Sequence, residues 1–120
     1  MARVAVVQMT SGDEVGANLA AAARFVAEAA AAGAALVVLP ENFAFMGAGE
    51  GAKLAVAEAD RAGPIQDALS GMARTAGCWL VGGTVPLRAP ERPHAPGRTR
   101  DGAPMPRRGE PRPAIRVPMV

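Results

Sequence analysis

The chain has 120 residues, half of them apolar, with one cysteine and a formal net charge of +2. That length and composition suffice for one domain with a real core and exclude a chain disordered throughout, while a lone cysteine excludes an internal disulfide and fits a reducing compartment. The charge is the sum of two unlike parts: residues 1–88 carry six basic and eight acidic side chains (−2), and residues 89–120 carry seven arginines against three acids (+4).

In chain order, "VAVVQM" at residues 4–9 is a short, β-branched, almost wholly apolar run. It predicts a first strand, covered on both faces in a parallel sheet. Ser11, Gly12 and Asp13 mark a turn, after which Leu19 and Val26 recur at helical spacing among alanines over residues 14–32. Asp13 is the expected cap of that helix and Gly33 its left-handed end. "ALVVL" at residues 35–39 is a second buried strand, stopped by Pro40, which cannot donate to a ladder. Residues 42–63 read as a glycine-rich loop with one short helical segment in "AKLAVAEAD". A helix restarts at Gly63-Pro64 with Ile65, Leu69, Met72 and Ala76 on one face, closed by Gly77. "CWLVGGTVPL", residues 78–87, completes the series as a third strand running into a turn, in which Gly82 and Gly83 permit a close backbone approach or a bulge at the strand end.

Strand, helix, strand, helix, strand is the pattern of an α/β fold with parallel pairing. Ligands of such sheets gather at the carboxyl ends of the strands, where Glu41 sits two residues past the expected end of the second. From spacing alone, Glu41 reads as a capping or solvated loop carboxylate. Cys78 reads as a small residue packed at the start of a strand. The run from Gly47 to Lys53 fails as a phosphate-binding loop, since the lysine does not follow a glycine and no Ser or Thr comes after it. His94 has no partner of metal-binding type nearby and takes no role. Residues 89–120 hold eight prolines and seven arginines without periodicity, which predicts a disordered tail unable to finish a sheet. With no aromatic residue to stack on bases, the tail makes no case for a nucleic-acid partner. The start has no basic segment leading into a long apolar one, and the longest uncharged apolar stretch, residues 29–40, is too short to span a bilayer. No membrane partner and a cytoplasmic location are the expectation.

Taken together, "VAVVQMTSGDEVGANL", "VVLPENFAFMG" and "GPIQDALSGMARTAGCWLVGGTVPL" resemble the nitrilase superfamily, or carbon-nitrogen hydrolases. Within it they resemble the Nit-type amidases of deaminated glutathione and ω-amides. The resemblance runs from about Arg3 to Arg88, in order and with the family's spacing. It implies the N-terminal part of a four-layer α-β-β-α sandwich, no cofactor or metal, a small-molecule amide as substrate, and self-association into a homo-oligomer.

The resemblance also implies a glutamate, a lysine and a cysteine. A thiolate attacks the amide carbonyl, so a base must take the thiol proton and later return one to the departing ammonia, while a fixed cation stabilises the oxyanion. Glu41 matches the family's "PE" glutamate, the general base. The lysine belongs to a "YRK" or "YDK" segment beyond the third strand and the nucleophile lies further on; neither position exists in these residues. Lys53, the only lysine, does not match, nor does Cys78. Where the family continues with a turn, a strand and an Asp-Gly loop, this chain turns to arginine and proline, the product of a GC-rich gene read out of frame. With G at the third codon positions of Arg116, Val117 and Pro118, reading two bases later gives Gly-Ala-Asp-Gly. The expectation is therefore an inactive amidase fragment with a frame break near codons 88–92. The alternative is a non-catalytic α/β module that binds a small molecule or pairs with full-length homologues.

Overall fold

Three parallel strands and three helices make up the computed structural model, which describes residues 1–49 and 51–88. Their order is β1 (Arg3–Val6), α1 (Val15–Ala31), β2 (Ala34–Val38), α2 (Ala52–Ala55), α3 (Pro64–Ala76) and β3 (Trp79–Val81). All pairing is parallel, in the spatial order β1-β2-β3 with β2 in the centre. This is the predicted mixed α/β arrangement. The disorder and frame break expected of residues 89–120 lie outside the described residues.

The two long helices end as their sequences dictate. Gly33 and Gly77 adopt φ of 89° and 63°, left-handed values that cost a residue with a Cβ and cost glycine nothing. Pro64 opens α3, where its missing N–H would have lacked a helical partner anyway. The guanidinium of Arg3 donates to the carbonyl of Ala32, tying the start of β1 to the end of α1. Asp13 is not the cap of α1: Glu14 holds that position in extended conformation and its side chain makes no capping bond. The loop before the helix is instead fastened by Asn18, from inside the first turn.

Helices α1 and α3 lie side by side on one face of the sheet. Val7, Ala22, Val26, Val37, Leu39, Phe43, Ile65, Leu69, Leu80 and Val85 form the core between them. The other face is open, against the expectation of strands covered on both sides. The register aligns Val4 with Leu36 and Trp79, and Val6 with Val38 and Val81. In those rows Val4 is 56% exposed, Val6 80%, Trp79 54% and Val81 45%. The reason is topological: the strands are added in one direction, so right-handed crossovers put both helices on the same side. A continuous apolar run marks a strand fit to be buried twice but does not say which face this chain covers. The strands are also shorter than predicted, β1 ending at Val6 and β3 at Val81.

Candidate functional site

The last ladder bond of β2, from Leu39 N–H to the carbonyl of Val81, delivers the chain to Pro40 at the carboxyl edge of the sheet. There Gly83, at φ 62°, comes so close that a Cβ on it would lie 2.2 Å from the Pro40 carbonyl oxygen. Only glycine fits that approach, the first of the two roles expected of the Gly82-Gly83 pair. Glu41 follows directly and is exposed. Asn42 then takes φ 55°, a left-handed value that asparagine tolerates better than most residues.

The backbone around Glu41 is fixed from both neighbouring strands. On the β3 side, Asn42 N–H donates to Thr84 Oγ1 at 2.9 Å. On the β1 side, Ser11 Oγ donates to the Phe43 carbonyl at 2.6 Å, and Met46 N–H to the Gly12 carbonyl at 2.8 Å. Asn18 joins these parts. Its Nδ2 donates to the carbonyls of Gly12 and Ala44, at 2.8 and 2.9 Å, and its Oδ1 accepts from Gly12 N–H at 3.0 Å. Phe43, two residues past Glu41, is fully buried, and a ring of that size contributes about 2–3 kcal/mol by leaving water. The turn that carries Glu41 is thus anchored through its backbone and through Phe43.

Lys53, which sequence reasoning set aside, stands beside this turn: its Nζ donates to Asn42 Oδ1 at 3.0 Å, one residue from Glu41. Cys78 is elsewhere. It precedes β3, at the amino edge of the sheet, so the length of that strand, roughly 10 Å at the usual rise per residue, separates it from the carboxyl edge. Its half-buried setting against the core pushes the thiol's pKa up, the opposite direction from the depressed pKa of an activated nucleophile.

A second glutamate is the main feature that sequence reasoning missed. Glu58 is only 6% exposed. Its carboxylate accepts the N–H groups of Ile65 at 2.6 Å and Gln66 at 3.0 Å, with Gln66 Nε2 at 3.2 Å, capping α3 from seven residues upstream. Its backbone N–H and carbonyl pair with Pro86 and Arg88, at 2.9 and 2.8 Å. Beside it is a groove of about 460 Å³ walled by Val15, Val56, Ile65 and Arg88, and another of about 490 Å³ lies between α1 and α3; neither is lined by Glu41. Asn18 was readable in principle, because residues 18, 22 and 26 share one helix face, and all three are buried. Glu58 offered no such signal.

No helix among the described residues is long and apolar enough to cross a membrane. The model of the carbon-nitrogen hydrolase family matches residues 3–99, more than half of the chain, and runs eleven residues past Arg88.

Proposed function

The chain belongs to the carbon-nitrogen hydrolase family, within the nitrilase superfamily, and from that premise we propose that Glu41 is the general base of an amidase fold acting on a small carboxamide. One observation carries the reading. The backbone on either side of Glu41 is held by Thr84, Gly83, Ser11 and Asn18, while the Glu41 residue itself is exposed at the edge where such sheets bind ligands. A base needs that combination of a fixed backbone and an accessible carboxylate. The Glu58 carboxylate, occupied by three donors inside the fold, has the opposite setting.

In the proposed reaction a thiol proton passes to the Glu41 carboxylate as the sulfur bonds to the amide carbon. The C–N bond then breaks, and the Glu41 proton leaves with the amine as ammonia. Water attacks the thioester, giving up its proton to Glu41, and the carboxylate product and the thiol are released. The thiol and the cation for the oxyanion have no matching residues within residues 1–120, because Cys78 is at the opposite edge and the Lys53 ammonium is tied to Asn42. Residues 1–88 are accordingly read as the N-terminal portion of a hydrolase domain, catalytically inert by itself, and the Pro/Arg-rich residues past the end of the family match at 99 as a stretch read out of frame, so the frame break lies later than codons 88–92. The motifs around Glu41 and Gly82-Gly83 favour the Nit-type branch, with an ω-amide or related small amide as substrate and a cytoplasmic location.

Sequencing the gene from codon 80 to well past codon 120 and translating every frame tests this. The reading expects another frame to restore an Asp-Gly loop, a lysine segment and a later cysteine, and the intact product to release ammonia from small carboxamides. If no frame does so, the amidase reading fails for this chain, and a non-catalytic module using the groove beside Glu58 takes its place.

A further inference from the structure

Asn18 sits in the first turn of α1, on the face that also buries Ala22 and Val26, and is only 5% exposed. Asparagine is a poor helix former, so the stability of α1 does not account for it there. A buried amide costs free energy unless its polar atoms find partners, and here they do. Nδ2 gives one proton to the Gly12 carbonyl and the other to the Ala44 carbonyl, while Oδ1 accepts the Gly12 N–H. The Gly12 carbonyl also accepts Met46 N–H, so residues 12, 18, 44 and 46 form one closed set. That set needs two donors and an acceptor on a short side chain. Leucine has neither, serine has one donor, an ionised aspartate has acceptors only, and glutamine is a methylene longer.

We propose that Asn18 is a positioning residue for Glu41: its amide ties the turn of residues 41–46 to α1 and so fixes where the carboxylate stands at the edge of the sheet. The proposal deepens the reading of Glu41 as a base and rests on it. Ser11, Gly83 and Thr84 meet this turn from the segments that follow β1 and β3. Among the described residues, the Ala44 bond of Asn18 is what joins the turn to a long helix, one seated on the sheet through Ala22 and Val26. A base must be held to a fraction of an ångström for its proton transfer, and a rigid element holds a side chain more closely than a loop does. Asn18 touches no reacting atom in this account. It acts through Ala44 and the buried Phe43, three and two residues past Glu41.

The test compares amide resonances and hydrogen-exchange protection of residues 41–46 with those of β2, in the full 120-residue chain. Asn18→Asp keeps the shape but, when ionised, turns an oxygen toward the two carbonyls that Nδ2 should bond. Burial beside those carbonyls pushes the new carboxyl above the ordinary value of about 3.9, and once protonated it donates to one of them again. At neutral pH the turn amides should shift and lose at least about tenfold more protection than β2, and acidification toward about pH 4 should restore them. Asp13, Glu14 and Glu41 are the titratable residues on the flanking segments, with Lys53 beside the turn. The parent carries all four, so measuring it at each pH isolates the new carboxyl. Asn18→Ser, left with one donor, should loosen the turn at every pH, and it decides alone if Asn18→Asp does not fold. Equal losses in the turn and β2, a turn that stays loose on acidification, or parent-like protection in Asn18→Ser overturns the proposal. Whether Glu41 is a base is decided by the frames of the gene, so a failure of that reading and a failure of this one are told apart.

Discussion

Glu41 and Glu58 are seventeen positions apart and are treated in opposite ways by the fold. Glu58 is buried, and its two oxygens are occupied by the N-terminus of α3 and by Gln66. At Glu41 the attention goes to the backbone: Gly83, Thr84, Ser11 and Asn18 hold residues 40–44. A carboxylate bonded by its own fold serves stability, and one whose backbone is held while the residue stays exposed is suited to a task outside the fold.

The sharpest way to break that comparison is to disturb the backbone that presents Glu41. Gly83→Ala should cost about 3 kcal/mol, because the added Cβ meets the Pro40 carbonyl and φ 62° is strained for alanine. Urea unfolding at fixed protein concentration measures it, and a loss under about 0.5 kcal/mol would mean the turn yields easily. Thr84→Val is milder. It removes the acceptor of the Asn42 N–H at an exposed site, for about 0.5–1 kcal/mol. Hydrogen exchange should show the Asn42 amide losing protection in Thr84→Val and regaining it in Thr84→Ser.

The smallest effect concerns Cys78. Burial raises its pKa in the folded chain above the ordinary 9.0, so the unfolded chain gives up this proton first. The contribution to stability is therefore complete below about pH 9 and declines as the pH rises through the folded value. Below that window Cys78 should react more slowly with a thiol reagent than the unfolded chain does. Equal rates would place the thiol in water and remove the argument from burial against a nucleophile at this edge.

Much of this comparison was legible in the sequence at one of its two sites. Pro64, Gly77 and the Ile65–Leu69 spacing set the ends and inner face of α3, because capping and periodicity are local. Pro40 and Gly82-Gly83 marked the carboxyl edge for the same reason. Asn18 was obscured because an amide in a helix reads as a surface residue until the 18, 22, 26 face is known to be the buried one. Glu58 was invisible, since it acts through a loop and across to residues 86–88, where the pairing is not local. The open face escaped because a parallel strand's apolar run looks the same whether one face is covered or two.

The most direct measurement is urea unfolding of Glu58→Gln and Glu41→Gln beside the parent chain, at one protein concentration. Glu58→Gln replaces a buried acceptor of three hydrogen bonds with a neutral amide that must turn an NH₂ toward an N–H donor. It should lose about 2–3 kcal/mol, while Glu41→Gln stays within about 0.5 kcal/mol of the parent. Comparable losses in the two variants would make Glu41 a second structural carboxylate and contradict its assignment as a base.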